Sequence, residues 1–249
     1  EIRAYSFMAT GNFNESTGRF YTDHVLFSAK PEYGQELDML FTYLQSRVQP
    51  SLYGKIPFQH LLVSQFNLIK RFNKLIDREI KNAKEGKPAH IIIKLNNLQE
   101  RDMIVRHYEA SKAGVKVQLL VRSICCLAPG VPGQSENIVV HRIVDRYLEH
   151  ARIFVFHNNG EPEYYMGSAD WMNRNLHSRI EVVFPVSDEK LAAELGHILQ
   201  LQLQDNQKAV LLSSDTATGA ANNLRVLHSG QTPLAAQEAI YEYVKGLGE

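Results

Sequence analysis

The sequence has no surplus of charge of either sign. Lys and Arg together number 27, as do Asp and Glu, so the formal net charge at pH 7 is zero. Proteins that coat nucleic acid or an anionic membrane usually carry a basic excess. We therefore expect no nucleic-acid partner, and any polyanion would have to be bound by a local cluster of cations.

Cysteine is scarce, and long apolar runs are missing. The two cysteines, Cys125 and Cys126, are adjacent, and neighbouring cysteines rarely meet disulfide geometry. No CxxC motif or mixed Cys and His spacing typical of zinc occurs. The residues themselves therefore predict no metal ligand and two reduced thiols, as in a cytosolic protein. No run reaches the ~18 apolar residues of a transmembrane helix, so no membrane span is expected.

The chain is long enough to bury a sizeable core. Its 249 residues are 44% hydrophobic, which fits one large globular domain or two smaller ones. The first residue is Glu1 rather than Met, and a strand pattern begins at residue 3. We therefore expect the sequence to be a piece of a longer protein, whose targeting signals it would not show.

Hydrophobic periodicity predicts an α/β chain with two units. The turn-rich segment 49–57 is the predicted boundary between residues 1–57 and residues 58–249. In the second unit helices and strands alternate, which implies parallel strands covered by helices. Residues 213–223 are small and polar, as in a surface loop. The predicted strands are 3–9, 20–27, 91–95, 115–121, 153–156, 164–166 and 180–186, and the predicted helices begin at Pro31 or span 66–80, 99–113, 191–198 and 233–245.

Two segments of the chain resemble each other. Phe7–Phe13 and Tyr165–Trp171 each run from an apolar strand end to Thr or Ser, a small residue, Asn or Asp, and an aromatic residue. Thirteen positions after the Thr or Ser, both copies carry an acid in the next predicted strand, Asp23 or Glu181. The shared downstream acid favours a true internal repeat over chance similarity.

The second copy has a histidine and a cation upstream. His150 and Arg152 precede a strand pair and the Gly-Ser turn at Ser168, an arrangement similar to one half-site of the phospholipase D superfamily. Positions i and i+2 of a strand face the same side, so both side chains would point into one pocket. Small residues around Ser168 would let backbone N–H groups approach a phosphate. By the same spacing, the histidine of the first copy would precede Glu1.

Several separate motifs, in order from residue 3 to about residue 248, resemble those of polyphosphate kinases. The resemblance implies an α/β fold of two phospholipase-D-like lobes with mixed or parallel sheets flanked by helices, the first lobe truncated. It implies reversible transfer of the γ-phosphate of ATP to inorganic polyphosphate with Mg²⁺, through a phosphohistidine upstream of this sequence. The motifs are Ala9–Asn14 with Thr17–Asp23, Asp77–Ile80, Lys94–Leu98, Leu120–Arg122, Ile143–His150 and Ser168–Asn175.

The same resemblance assigns residue roles. It makes His150 the second active-site histidine, acting as an acid or as a phosphate ligand. Arg179 is a candidate because it mirrors Tyr21 in the repeat, and Lys94, on a short buried strand, is a weaker one. Contacts to the nucleotide or to phosphate are expected from Tyr21, Arg122, Arg152, Ser168 and Arg179.

The resemblance further implies a cytoplasmic homo-oligomer that uses ATP, ADP and polyphosphate, with peripheral association to the inner membrane left open. The piece alone is expected to be inactive. Two alternatives stay open. One is a phospholipase-D-type phosphodiesterase, although Arg152, His157 and Asp170 replace the lysine, later aspartate and asparagine of that pattern. The other is a non-catalytic module for polyanion binding or oligomerisation.

Overall fold

The computed structural model describes residues 4–214, 221–225 and 232–248. The strands are β1 Ser6–Ala9, β2 Tyr21–Thr22, β3 Val25–Ser28, β4 Leu62–Val63, β5 His90–Leu95, β6 Lys116–Val121, β7 Ile138–Ile143, β8 Leu148–Glu149, β9 Arg152–Phe156, β10 Glu163–Gly167, β11 Val182–Val186, β12 Ala209–Ser214 and β13 Ala221–Arg225. The helices are α1 Pro31–Ser46, α2 Pro50–Tyr53, α3 Leu68–Lys84, α4 Arg101–Lys112, α5 Asn173–His177, α6 Glu189–Leu203 and α7 Ala236–Leu247.

A nine-stranded mixed sheet organises the chain. Its order is β13-β12-β7-β6-β5-β9-β10-β11-β4. β5, β6 and β7 run parallel to one another, and the other neighbours pair antiparallel. The predicted α/β fold with a mixed sheet flanked by helices is therefore confirmed. No helix within the described residues is long and apolar enough to cross a membrane.

Helix α3 covers one face of this sheet because its apolar residues recur at helical spacing. Leu68, Phe72, Leu75 and Ile76 are all buried. The ring of Phe72 lies 4.7 Å from the ring of Phe154 in β9. Burying a side chain of this size stabilises the fold by about 1.5–3 kcal/mol.

A second core lies on the opposite face. Ile91 and Ile93 in β5 belong to the core under α3, whereas Ile92 belongs to the core that contains residues of α1 and α6. Alternate residues of a strand point to opposite faces, so one strand supplies both cores. The buried Lys94 follows Ile92 by two positions and also faces this second side.

A buried carboxylate fastens α1 to the chain beyond the predicted boundary. Glu36 accepts hydrogen bonds from the backbone N–H groups of Gln59 at 2.8 Å, His60 at 3.0 Å and Leu61 at 2.7 Å. Residues on both sides of the segment 49–57 are therefore held together by one side chain. The division into residues 1–57 and 58–249 stays a prediction.

Two short pairings lie outside the large sheet. β1 pairs antiparallel with β3, and β2 pairs parallel with β8, where Tyr21 lies opposite Leu148. The prediction of one continuous strand over 20–27 is wrong. β2 and β3 have different partners, so the chain changes direction between them at Asp23 and His24.

The sequence does not predict strands β7, β12 and β13, which lie next to one another at one end of the nine-stranded sheet. The predicted surface loop over 213–223 is wrong at both ends, because β12 runs to Ser214 and β13 begins at Ala221. Residues 215–220, and residue 3 of the first predicted strand, lie outside the described residues. β12 pairs with both β7 and β13, so the small polar residues at its end belong to a ladder.

Candidate functional site

The first copy of the repeat is a turn closed by three hydrogen bonds. The N–H of Thr10 donates to the carbonyl of His24 at 3.0 Å. The hydroxyl of Thr10 donates to Oδ1 of Asp23 at 2.7 Å and accepts from the N–H of His24 at 3.0 Å. One threonine thus fixes both the strand end after β1 and the acid that precedes β3.

The second copy makes the same three bonds. The N–H of Ser168 donates to the carbonyl of Val182 at 3.0 Å. Its hydroxyl donates to Oε2 of Glu181 at 2.5 Å and accepts from the N–H of Val182 at 3.2 Å. The sequence repeat is therefore also a structural repeat. Since these bonds occupy the N–H and the hydroxyl hydrogen of Ser168, the geometry favours a structural role over the predicted phosphate contact.

The acids of the two copies differ in what else they bind. Asp23 lies beside His150, with 3.0 Å between Oδ1 and Nδ1. Glu181 instead accepts a hydrogen bond from Nδ2 of Asn175 at 2.6 Å. Among the described residues, only the first copy therefore brings its acid against a histidine.

His150 is held between Asp23 and Tyr21. Its side chain is 16% exposed and that of Asp23 is 21% exposed, so solvent still reaches the pair. The rings of Tyr21 and His150 are 4.5 Å apart. Burial raises the pKa of Asp23, but the hydrogen bonds from His150 and Thr10 outweigh it and hold that pKa below its ordinary value. An ionised Asp23 favours the tautomer of His150 that carries its proton on Nδ1, and Nε2 then faces Nη1 of Arg152 at 3.1 Å.

Arg152 contacts both copies of the repeat and lies beside the ring of His150. Its guanidinium binds Asp170, with 3.1 Å between Nη2 and Oδ2. Nη1 also donates to the carbonyls of Thr10 at 3.1 Å and His150 at 2.9 Å. Nη1 lies 3.1 Å from Nε2 of His150, so the two side chains are neighbours, and the prediction that both point into one phosphate pocket stays a prediction. These contacts give Arg152 a positioning role, and its predicted phosphate contact stays a prediction.

Arg122 reaches the same place from the end of β6. Its Nε donates to Oδ1 of Asn96 at 2.7 Å, and Nδ2 of Asn96 donates to the carbonyl of His150 at 2.9 Å. The carboxyl ends of β5 and β6 meet at this edge, as expected for a ligand site in an α/β sheet. Burial lowers the pKa of Arg122, but a guanidinium remains cationic at neutral pH. The hydrogen bond at Nε leaves the Nη groups for a ligand.

The predicted contact of Lys94 with phosphate is not supported. Nζ of Lys94 lies 2.8 Å from Oε2 of Glu149, and the two side chains are only 5% and 6% exposed. Burial raises the pKa of Glu149, but the charge and hydrogen bond of Lys94 outweigh it, so the pKa lies below its ordinary value. The pair lies one residue before His150 and supports the strand that carries it.

Arg179 is the predicted site residue that the structure does not bring to this group. It is exposed and lies two positions before Glu181, as Tyr21 lies two positions before Asp23. The hydroxyl of Ser64 donates to its carbonyl at 2.5 Å. Its predicted phosphate contact stays a prediction.

Three residues of the site were not predicted as such. Asp23 carried a signal, since its spacing from Thr10 matched that of the second copy. Asn96 also carried one, because polar residues directly after a buried parallel strand commonly line a site. Glu149 gave none, since an acid within a polar run does not reveal that it will be buried against Lys94.

The described residues do not offer a resident metal site. No group of three or more His, Cys, Asp or Glu side chains could hold a metal ion in the part of the chain that the structure describes. The oxygens of Asp23 face Thr10 and His150, and those of Glu149 face four donors.

Comparison with known proteins gives a consistent family. The family model "Polyphosphate kinase C-terminal domain 2" matches residues 61–237, and "Polyphosphate kinase C-terminal domain 1" matches residues 1–50. Polyphosphate kinases of Vibrio parahaemolyticus and Escherichia coli are 40% and 39% identical over 247 residues, which is 99% of this chain and 34% of each relative. That of Thermosynechococcus vestitus is 45% identical over 215 residues, covering 86% of this chain and 29% of the relative.

A solved structure agrees with these sequences. The crystal structure of polyphosphate kinase from Porphyromonas gingivalis superimposes with a TM-score of 0.90 at 42% identity, covering 98% of this chain and 36% of that one. The chain thus spans about a third of the length of the relatives it matches. The matched family models, the similar sequences and the superimposed structure all lead to one assignment: the chain belongs to the polyphosphate kinase family.

Proposed function

We propose that this chain is the C-terminal part of a polyphosphate kinase that transfers the γ-phosphate of ATP reversibly to inorganic polyphosphate. Family membership supports this proposal, and one geometric observation carries it. His150 is oriented by Asp23 at 3.0 Å, with Arg122 joined to its carbonyl through Asn96. A titratable imidazole beside a fixed cation is the equipment that phosphoryl transfer requires.

In the proposed reaction, the nucleophile is a histidine of an upstream His-x-Lys segment that this sequence does not contain. Its ring nitrogen forms a bond to the γ-phosphorus while the bond from that phosphorus to the bridging oxygen of ADP breaks. In the second step the terminal oxygen of polyphosphate forms a bond to that phosphorus while the bond from phosphorus to the ring nitrogen breaks, which regenerates the free histidine. His150 serves at Nε2, either protonating the departing oxygen or donating a hydrogen bond to the transferred group.

Three side chains, an acid, a cation and a phenol, support this role of His150. Asp23 accepts the Nδ1 proton and stabilises the imidazolium form that is required when Nε2 carries the second proton. Arg122 supplies fixed positive charge to phosphate oxygens. Tyr21 packs against the ring of His150 and limits its rotation, at 4.5 Å between ring centres. A phenol in this place can also contact the nucleotide.

The proposal includes the context of the reaction. ATP would enter as its Mg²⁺ complex, in which the phosphates supply ligands to the ion. The complete protein would act as a cytoplasmic homo-oligomer without a nucleic-acid partner. Family resemblance supports the oligomer, and the zero formal charge supports the lack of a nucleic-acid partner. Light scattering of the purified complete protein measures its oligomeric state directly.

The test is polyphosphate formation from ATP and Mg²⁺ by the complete protein that carries this sequence. His150→Ala should abolish most synthesis while the protein stays folded, whereas His60→Ala, at an exposed histidine, should retain it. Normal synthesis by His150→Ala would reject the role of His150. The present chain alone should make no polyphosphate, because the proposed nucleophile is absent.

Two other functions are distinguished by the same preparation. A phospholipase-D-type phosphodiesterase would hydrolyse a chromogenic phosphodiester without ATP. A non-catalytic module would bind polyphosphate tightly with neither activity. Either result, together with no synthesis by the wild-type protein, would replace the kinase proposal.

A further inference from the structure

One side chain of helix α7 binds the segment that leads to His150. This side chain is Gln237, in the first turn of the helix. Its Oε1 accepts from the N–H of Tyr147 at 3.0 Å, and its Nε2 donates to the carbonyl of the same residue at 2.8 Å. A carboxamide that binds both backbone groups of one residue acts as a neighbouring strand would.

The same amide also reaches the buried acid beside His150. Nε2 of Gln237 donates to Oε1 of Glu149 at 2.8 Å. The other oxygen, Oε2, accepts from Lys94 at 2.8 Å and from Gln202 at 2.7 Å. Glu149 is 5% exposed, so each of these donors replaces water that the carboxylate has lost. The hydroxyl of Thr22 in β2 also donates to Oε2 at 3.3 Å, so four elements, β2, β5, α6 and α7, converge on one carboxylate.

The start of α7 is itself fixed. Asp205 is 2% exposed, and its Oδ2 accepts from the N–H of Ala236 at 2.7 Å. Its Oδ1 accepts from the N–H groups of Gln207 at 2.9 Å and Lys208 at 2.7 Å. One carboxylate therefore caps α7 and shapes the approach to β12. These bonds fix the position of Gln237, the second residue of α7, relative to β8.

The residue that follows this clamped segment is His150. β8 pairs with β2 on one side, where the N–H of Leu148 donates to the carbonyl of Phe20 at 2.8 Å. Successive residues of an extended segment face opposite sides, so Glu149 points to α6 and α7 while His150 points to Asp23. Because Glu149 and His150 are adjacent, we expect a displacement of Glu149 to change the orientation of the imidazole relative to Asp23.

We propose that Gln237 is a positioning residue for the transfer reaction: through Tyr147 and Glu149 it sets the orientation of His150, so that docking of α7 determines whether the histidine faces its acid. This inference rests on the proposed function of His150, but its geometric part does not. Gln237 has no hydrogen bond to the imidazole among the described residues. Its influence passes through the backbone of Tyr147 and the carboxylate of Glu149.

The experiment has a structural and a kinetic arm. In the structural arm, nitrogen-15 NMR of the histidine rings is recorded for this chain and for Gln237→Ala. We expect the wild-type chain to show an Nδ1–H proton of His150 shifted downfield by Asp23, and the variant to lose or broaden it. In the kinetic arm, the complete protein with Gln237→Ala should lose about tenfold in kcat at a nearly unchanged KM for ATP, as misplacement of a catalytic group predicts.

Two further variants keep the test decisive. Gln237→Asn retains the amide on a side chain shorter by one methylene and should behave as Gln237→Ala if reach to Tyr147 matters. Glu242→Gln alters an exposed residue of the same helix and should match the wild type in both arms. Thermal unfolding of each variant identifies any that fail to fold, in which case Gln237→Asn replaces Gln237→Ala.

The structural and kinetic arms of the experiment can contradict different parts of the proposal. Unchanged His150 signals in both Gln237 variants would overturn the positioning role. A changed His150 signal with an unchanged kcat would uphold the geometry but overturn the proposed link to transfer. If the complete wild-type protein made no polyphosphate, the proposed function would fail while the NMR arm still decided the positioning.

Discussion

Asp23 and His150 lie 127 positions apart in the sequence, yet their Oδ1 and Nδ1 atoms meet at 3.0 Å. The acid comes from the first copy of the repeat and the histidine stands before the second. The site therefore exists only where the β2–β8 pairing brings the two copies together. Each copy of the repeat alone forms a hydrogen-bonded turn. The Asp23–His150 pair forms only where the first copy meets the segment that precedes the second.

Replacing Asp23 with asparagine should reduce transfer without unfolding the protein. The amide can still accept from Thr10 or His150, but it cannot offset the charge of the imidazolium. We expect kcat to fall on the order of 10²-fold, the lower end of a general-acid contribution, because His150 itself remains in place. Steady-state synthesis by the complete protein with Asp23→Asn measures this.

The pH dependence of stability gives an independent check on Asp23. Its folded pKa lies below the ordinary value of 3.8, so its stabilisation is present above that value and is lost as pH falls through the folded pKa. The wild type should therefore exceed Asp23→Asn in stability at neutral pH and lose this advantage below about pH 3.8. A constant difference across that range would show that the carboxylate charge has no part.

Substitutions at two glycines, Gly11 and Gly18, test how closely the turn of the first repeat copy packs against Asp23. A Cβ at Gly11 would lie 2.2 Å from Oδ2 of Asp23, whereas nothing lies within 4 Å of a Cβ at Gly18. Gly11→Ala must displace a carboxylate that Thr10 and His150 hold. We expect a loss of about 1–3 kcal/mol in stability, with reduced synthesis, and little change for Gly18→Ala. Urea unfolding of both variants compares them, and equal stabilities would contradict the close packing.

The sequence anticipated the parts of the site that depend on local order. The repeat and the pairing of His150 with Arg152 follow from residue spacing within a strand or turn, and the structure contains both. It did not anticipate β7 and β12, nor the burial of Lys94 against Glu149. Those features depend on which distant segments pair, and a short run of mixed polarity does not encode its partner.

The predicted break between units shows the same limit at the level of the fold. The turn residues at 49–57 marked a change of direction, and α2 with its flanking turns occupies that segment. They did not reveal that Glu36 would reach across it to three backbone N–H groups. A buried carboxylate with backbone donors looks, in sequence, like any surface acid of an amphipathic helix.

The buried ion pair should be costly to break from one side. Glu149→Gln leaves the ammonium of Lys94 buried without a counter-charge, and breaking such a pair typically costs 3–5 kcal/mol, so we expect about that loss. Adding Lys94→Met removes the unpaired charge and should recover most of it. Chemical denaturation of the single and double variants separates the terms. A single variant within about 1 kcal/mol of the wild type would mean that water reaches Lys94.

Acid should destabilise the chain through its buried histidines. Burial lowers the pKa of His24, His90 and His107 to about 4, from an ordinary 6.5. Between those values the unfolded chain binds a proton that the folded chain refuses, so stability falls as pH falls from 6.5 towards 4. Each such histidine contributes a slope of about 1.36 kcal/mol per pH unit in that window.

His107 is the residue on which to test this slope. It is fully buried, its Nδ1 lies 2.7 Å from the carbonyl of Met103, and its ring packs 5.0 Å from that of Trp171. His107→Leu should change stability little at pH 7, since the imidazole is neutral there, and should reduce the acid slope by about one proton. His60→Leu, at an exposed histidine, should leave the slope unchanged. Urea unfolding at intervals between pH 7 and pH 4 measures it, and an unaltered slope in His107→Leu would mean that the folded state protonates this ring as readily as the unfolded chain does.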